Sequence, residues 1–411
     1  MKNLFINKWA VLIKYPLEYS SKDVEQLKNN ITDALLSNGF HKYSIIDMEC
    51  GCMQICCFHS EDSALSLSKI VSRVMGVSSV IPAIVIGFNG FNDLIDNIVE
   101  VLLHRARGML IDVELRYIDS QNLMIKDLSE LIDKTLLEVK KLKHDSARHV
   151  YRVYIEVSRR EVYIYDKIFE GSKGLPIGSG DVALALFSGG IDSPVATWFL
   201  LRKGFKVHMV LFNLGGDRHV YGALKVAKVL ADRWVFGYRP KLYVVDLRPL
   251  IMRIALYSKE DHMVILMRRT MFRIANRLAE KIGAKVLATG ESIGQVASQT
   301  LHNLFVINKA SVIPVLRPLI GLDKEEIIRY ARFIGTYEYS IKVGEFCPIG
   351  ASKTTTKANI KYIEDVENKI INDDFIENLI SNAVEYDLKS VDSDLIDRKF
   401  TEILHQQSCN I

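Results

Sequence analysis

The stretch from Val182 to Ser193, VALALFSGGIDS, continuing as PVATWFLLRKG to Gly204, limits what this chain can fold into more than any other part of it. A run rich in β-formers opens into Ser188, Gly189 and Gly190, and an amphipathic segment carrying Pro194, Ala196 and Leu200 follows. The pattern predicts a strand, a glycine turn and a helix. Glycines let the backbone approach an anion closely, and the unpaired N–H groups of a helix start give that anion a partial positive charge to sit against. A phosphate is the expected guest. The Walker pattern requires a lysine after the glycines, whereas this turn offers Ser188, Asp192 and Ser193, and the dinucleotide pattern GxGxxG is absent as well.

A chain of 411 residues is too long for one comfortable core, so two or three domains are expected. With 49% hydrophobic and 25% charged residues it has the composition of an ordinary globular protein. It opens on no charged leader with an apolar stretch behind it and holds no apolar run of about 18 residues, so neither export nor a membrane span is expected. Six cysteines in this length do not form a disulfide framework, which suits a reducing cytoplasm. The net charge of +4 hides an asymmetry: residues 361–400 carry five Lys or Arg against eleven Asp or Glu. The rest of the chain is basic, and a phosphate-bearing partner is expected to meet it there.

The first 60 residues read as strand (Trp9 to Lys14), helix (Lys22 to Leu36) and strand (Tyr43 to Phe58), part of a small α+β unit. On that second strand Cys50, Cys52 and Cys56 share one face and Cys57 takes the other. This is poor geometry for a tetrahedral metal, so buried apolar cysteines are expected and no metal site is read. From Ser63 helices and strands alternate: Ser63 to Val74, Ser78 to Ile81, Phe91 to Arg105, Leu110 to Tyr117, Ile125 to Lys140, then a hairpin from Val150 to Tyr165. Basic residues cluster here as Arg105 and Arg107, as Lys140, Lys141 and Lys143, and as Arg148, Arg152, Arg159 and Arg160. Each cluster alone reads as a solvated face; together, in a region with no catalytic constellation, they favour a platform for an RNA backbone.

The segment EGSKGLPIGSG, residues 170–180, is a linker by composition. Beyond it, strands at 182–187, 206–212, 240–246 and 284–289 alternate with helices, which predicts a doubly wound parallel sheet with its ligands beyond the carboxyl ends of the strands. The motifs fall at those ends. Leu211 and Phe212 close the second strand ahead of Asn213-Leu214-Gly215-Gly216, where backbone and an apolar side chain can take an adenine. Arg268, Arg269 and Arg273 share one long helix, with Arg268 turned aside and able to reach a triphosphate. TGESIGQVASQT, residues 289–300, offers hydroxyls, two amides and Glu291, though read alone it is also a fair helix cap; Arg317 adds a further cation. A polar, acidic helical tail is expected from Ala358 on.

SGGIDSPVA, FNLGG, MRRTMFRIA, TGESIGQVASQT, RPLIGLDKEEI with IGTYEYS, and a lone cysteine in Glu345-Phe346-Cys347 together resemble the tRNA 4-thiouridine synthase (ThiI, tRNA sulfurtransferase) family, in its form without a rhodanese domain. SGGxDS is similar to the pyrophosphate (PP) loop of ATP pyrophosphatases, which split ATP between its α and β phosphates. The resemblance is strongest from Leu175 to Lys357, and EGSKGLPIG resembles the family's hinge. It implies a ferredoxin-like domain over 1–60, a THUMP RNA-binding domain over 61–167, a linker over 168–180, and a PP-loop domain of the adenine nucleotide alpha hydrolase type over 181–411. The implied reaction uses ATP and Mg²⁺ to adenylate the C4 oxygen of uridine 8 of tRNA, then replaces it with persulfide sulfur. Sulfur supply for the thiazole of thiamine is implied as well. Nucleotide contacts fall on Leu186, Phe187, Leu211, Phe212, Arg268, Gly290 and Gln299, and on the loop residues Ser188, Gly189, Gly190, Asp192 and Ser193. Asp192 is the acid that orients magnesium or phosphate, and Cys347 the catalytic cysteine.

The implied partners are tRNA, a cysteine desulfurase or other persulfide or sulfide donor, a sulfur-carrier protein and a second copy in a homodimer, with no membrane. The sequence departs from the family at IKYPLEYSS, where the resemblance implies an arginine–tyrosine–glycine–glutamate stretch followed by a glycine–lysine pair that contacts tRNA or ATP, and its catalytic domain lacks the CxxC that some archaeal relatives use with an iron–sulfur cluster. Cys409 is a candidate resolving thiol beside an external one. Two other readings stay open: an adenylating enzyme acting on a carrier protein or small molecule, and a non-enzymatic RNA-binding module.

Overall fold

A computed structural model describes residues 8–48, 51–58, 60–87, 91–106, 110–117, 150–157, 161–344 and 354–408. The chain divides into two compact units, the first ending at Gly174 and the second beginning at Leu175. Among the described residues no helix is long and apolar enough to cross a membrane.

The first unit is built on one sheet. Its strands are β1 (Trp9–Lys14), β2 (Ser44–Met48), β3 (Cys52–Phe58), β4 (Ser79–Gly87), β5 (Leu110–Tyr117), β6 (Val150–Val157), β7 (Glu161–Tyr165) and β8 (Phe169–Glu170). They lie in the order β2-β3-β1-β4-β7-β6-β5, with β8 beside β4. Helix α1 (Ser21–Ser37) starts at a capping box in which Ser20 and Asp23 exchange hydrogen bonds, and it buries Leu27, Ile31, Ala34 and Leu35 at helical spacing. Helices α2 (Glu61–Val71) and α3 (Phe91–Ala106) complete the described part.

Two strand readings change. The stretch from Tyr43 to Phe58 is not one strand but a hairpin, with Ser44 opposite Cys56 and Met48 opposite Cys52. Gly51 takes φ +68° there, and a Cβ on it would come within 2.9 Å of the Tyr15 carbonyl oxygen. The strand expected to stop at Ile81 runs on to Gly87. Pro82 removes a ladder donor and so mimics a strand end, yet it stays paired opposite Val11 in the middle of the sheet. Cys52 is buried and Cys56 partly so, and neither is in a disulfide among the described residues.

In the second unit β9 (Val182–Leu186), β10 (Lys206–Asn213), β11 (Lys241–Asp246), β12 (Val286–Ala288), β13 (Val315–Leu316) and β14 (Val384–Asp387) lie in the order β13-β12-β9-β10-β11-β14. All are parallel except β14, which runs antiparallel to β11. The chain therefore enters at β9, builds outward through β10 and β11, then returns to build outward the other way through β12 and β13. The reversal lies between β9 and β12, where such sheets open a ligand crevice. The helices are α4 (Asp192–Arg202), α5 (Gly216–Trp234), α6 (Arg248–Tyr257), α7 (Met263–Ile282), α8 (Leu301–Asn308), α9 (Lys324–Ile334), α10 (Tyr337–Val343), α11 (Ile360–Ile370), α12 (Asp373–Ser381) and α13 (Ser393–Ser408). They pack in two groups: α4 and α5 with α9, α10 and α13, and α7 with α6, α8, α11 and α12.

The tail is not purely helical. VEYD, too polar to read as a strand, becomes the edge strand β14, a place where charged side chains are tolerated and deter further pairing. Its acids also meet the basic body. Glu367, 1% exposed, takes a bidentate pair from Arg269 at 2.9 and 2.7 Å; Glu377 pairs with Lys281, Asp387 with Arg239 and Asp397 with Lys225. Much of the charge asymmetry seen in the sequence is thus spent on fastening the tail.

Candidate active site

β9 ends at Leu186, and Phe187, 2% exposed, is tied back into the sheet by its N–H on the Val210 carbonyl at 2.8 Å. The turn that follows is braced from within. The Ser188 N–H donates to Ser193 Oγ at 3.1 Å and the Gly190 N–H to Ser188 Oγ at 3.3 Å. Gly189 has φ +76°, and a Cβ there would lie 2.6 Å from the Cα of Ala223 on α5, so only glycine fits this close approach. Helix α4 begins at Asp192 with no side-chain cap, which leaves its first N–H groups for a guest. Pro194 falls in that first turn, where its missing N–H costs nothing.

Asp192 is a junction. Its Oδ1 accepts from Lys324 Nζ at 2.6 Å and its Oδ2 from Gln295 Nε2 at 3.2 Å. Lys324 opens α9 directly after Asp323, whose capping box with Glu326 fixes the helix start. The lysine missing from the turn is therefore supplied by a residue 132 positions later, which sequence reading did not single out. Its only local signal is its place after a helix cap in RPLIGLDKEEI.

The segment after β12 closes the other side. A Cβ on Gly290 would lie 3.0 Å from the backbone carbon of Asp192 and 3.1 Å from the N of Ser193, so this glycine lies directly against the start of α4. Next to it Glu291, 5% exposed, accepts from Arg268 Nη1 at 2.5 Å, Arg317 Nε at 2.8 Å and Thr289 Oγ1 at 2.9 Å. Arg268 is thus committed to Glu291 here rather than extended freely. Two guanidiniums share one carboxylate, so the cluster keeps a surplus positive charge beside the loop. Gln299, 7% exposed, has a buried Oε1 with no hydrogen-bond partner among the described residues, and the same holds for Asn213 Oδ1 at the end of β10. Leu211 and Phe212 are buried in that strand.

The structure therefore gathers Ser188, Gly189, Gly190, Asp192, Ser193 and Gly290 at the sheet's reversal point and places Leu186, Phe187, Leu211 and Phe212 in the strand ends around it. Cys347 and Cys409 lie outside the described residues. So do Arg107, Lys140, Lys141, Lys143, Arg148, Arg159 and Arg160. Arg105 is described, and its guanidinium already serves Glu61 at 3.1 Å, Asp166 at 3.0 Å and Tyr151 at 3.0 Å. The hydrogen bond from Arg105 holds the Glu61 carboxyl below its usual range. Among the described residues no group of three or more His, Cys, Asp or Glu is placed to hold a metal.

A family model described as "Thiamine biosynthesis protein (ThiI)" matches residues 178–371, spanning the loop, Gly290, Glu291 and Lys324. The "Probable tRNA sulfurtransferase" of Aeropyrum pernix is 39% identical over 290 residues, covering 71% of this chain and 73% of that protein. The chain belongs to the ThiI family of tRNA sulfurtransferases. A second ThiI relative, the "Probable tRNA sulfurtransferase" of Sulfurisphaera tokodaii, is 37% identical over 300 residues, 73% of this chain and 80% of its own. The ThiI fold also matches the crystal structure of a 4-thiouridine synthetase–RNA complex with bound ATP, with TM-score 0.77 and 26% identity over 92% of this chain and 99% of that one.

Proposed function

We propose that this protein is a cytoplasmic, ATP-dependent enzyme that makes 4-thiouridine in tRNA. The observation that carries the reading is the uncapped glycine loop at the sheet's reversal point, with Asp192 and Lys324 paired at its mouth. In the first step the uracil O4 attacks the α phosphorus of ATP, the bond to the bridging oxygen breaks, and pyrophosphate leaves. Negative charge grows on the phosphates, and fixed donors already in place are the cheapest way to stabilise it. Here those donors are the N–H groups at the start of α4, Lys324 and the surplus charge of the Arg268–Glu291–Arg317 cluster. In the second step a sulfur nucleophile attacks C4, the C4–O bond breaks and AMP leaves with the oxygen.

Mg²⁺ fits this site, since the ion is commonly held by one or two carboxylates together with substrate phosphates, and Asp192 stands at the loop as a single carboxylate. When bound it supplies charge neutralisation to the phosphates. Asp192 would hold it, leaving Lys324 to the nucleotide. The orphaned acceptors on Gln299 and Asn213 suit donors of the adenine or ribose. The first unit is proposed to bind the tRNA as its RNA-recognition part, with residues 1–60 and 61–167 as ferredoxin-like and THUMP portions. A cysteine desulfurase or other persulfide donor supplies the sulfur, and the enzyme acts as a homodimer. The family's description favours a second role in supplying sulfur for thiamine.

The test is incubation of the full chain with ATP, Mg²⁺, bulk tRNA and a persulfide donor. Near-ultraviolet absorbance of 4-thiouridine and tRNA-dependent formation of AMP are expected. AMP formation that needs a carrier protein or small molecule instead of tRNA would replace the reading, as would tRNA retention with no ATP turnover. Gly189→Ala is expected to raise the KM for ATP about tenfold or more, because strain and overlap of about 1–3 kcal/mol must be relieved by moving the loop. Steady-state AMP formation against ATP concentration measures it.

A further inference from the structure

The loop rests on α5, and one side chain of that helix holds it. His219, at the end of the first turn of α5, is 5% exposed. Its Nε2 donates to the Ser188 carbonyl at 3.2 Å, and its Nδ1 accepts from the Leu214 N–H at 3.3 Å. A carbonyl can only accept and a backbone N–H can only donate, so both contacts fix one neutral tautomer. Burial pushes the imidazole down to about 4, which keeps it in that neutral form near pH 7. One turn further along the same face lies Ala223, the residue that Gly189 packs against.

A trans peptide carries its C=O and N–H in opposite directions, and the described chain has no cis peptide. Drawing the Ser188 carbonyl down onto His219 therefore aims the Gly189 N–H away from α5. The Asn213–Leu214 peptide is held in the same manner, its N–H on His219 and its C=O accepting from the Leu247 N–H at 3.0 Å. One imidazole thus joins the phosphate loop to the end of β10. Helix α5 is itself backed by the tail: a Cβ on Gly222 would meet Phe400 at 3.1 Å and Val343 at 3.2 Å, and Lys225 pairs with Asp397 at 2.6 Å.

We infer that His219 is a positioning residue for adenylyl transfer, setting the aim of the pyrophosphate loop's N–H groups and locking that loop to the FNLGG segment. The inference rests on the ATP-dependent reading above. Displacement of positioned groups by about 1 Å can cost on the order of 100-fold in rate. His219→Leu is accordingly expected to lower kcat for tRNA-dependent AMP formation by about 10- to 100-fold, with the KM for tRNA unchanged. His219→Gln, whose amide reaches far enough to donate to Ser188, is expected to recover about tenfold of that loss. Melting temperatures of the full-length variants are measured beside the rates.

A folded His219→Leu with wild-type kcat and KM for ATP overturns the inference. So do equal losses in the leucine and glutamine variants. Should the leucine variant not fold, His219→Gln is compared with His219→Asn, whose shorter amide cannot reach Ser188; glutamine must then be the faster, and equal rates overturn the inference. A wild-type protein that forms no AMP overturns both this inference and the function it rests on, which separates the two failures.

Discussion

Asp192→Ala is expected to reduce tRNA-dependent AMP formation by about 10²–10³-fold or more while leaving the protein folded. Its carboxylate is about a quarter exposed (23%), opens α4 and joins no hydrophobic core. Its stabilising part is the favourable placement of an acid at a helix start, about 0.3–1 kcal/mol, and an exposed ion pair of similar size. A melting temperature close to wild type is therefore expected. The loss is expected to fall on chemistry, because the carboxylate sits where Lys324, Gln295 and the loop converge. Labelled ATP followed to AMP measures the rate, and equilibrium binding of ATP separates lost chemistry from lost affinity. An undiminished rate would remove Asp192 from the mechanism.

The parts of this molecule legible in the sequence are those whose determinants are local. Strand β9, the glycine turn and α4 follow one another within 21 residues, and each declares itself by apolar runs, glycines and helical spacing. The parallel order of the second sheet follows from the alternation of strands and helices. What stayed hidden depends on distance along the chain. Lys324 and Asp192 meet across 132 positions, and no pattern around either residue announces the other. His219 reads as one more histidine on a helix until the Ser188 carbonyl is placed over it. Edge strand β14 is concealed by its own acids, since β-propensity there depends on pairing with β11 rather than on composition. Pro82 and Gly51 act oppositely: the proline suggests an end where β4 continues, and the glycine makes a turn where one strand was expected.

Arg268 and Arg317 illustrate a further limit. The sequence presents Arg268 as able to reach a triphosphate and Arg317 as a further cation, whereas in the fold both are drawn to Glu291. A buried carboxylate needs such partners. In the proposed function their contribution is a preset local charge, with no long side chains left to be ordered when a nucleotide arrives, which would lower the entropic cost of binding.

Cys347→Ser is expected to abolish 4-thiouridine formation while ATP binding and tRNA binding persist. Adenylation makes C4 a better electrophile but provides no sulfur, and at neutral pH a thiol with an ordinary pKa of about 8.5 is mostly protonated. A persulfide is the better nucleophile. Of the six cysteines, four lie before residue 60 and Cys409 closes the tail, so Cys347 is the one that the sequence places inside the catalytic region. The described chain just beyond it is fastened to the segment that carries Gln299: Asn303 donates to the Thr355 carbonyl at 2.7 Å and accepts from the Ala358 N–H at 3.0 Å, and Thr300 donates to the Thr356 carbonyl at 2.8 Å. In the proposed step the terminal sulfur of the Cys347 persulfide bonds to C4 as AMP leaves. A second thiol then attacks the Cys347 sulfur, which forms a disulfide and releases the thiolated base. An external thiol is the favoured resolving group over Cys409, and Cys409→Ser should retain most activity. Thiolation assays of both variants with a persulfide donor and reductant decide the matter: full activity of Cys347→Ser would sink the persulfide route, and an inactive Cys409→Ser would make Cys409 the resolving thiol.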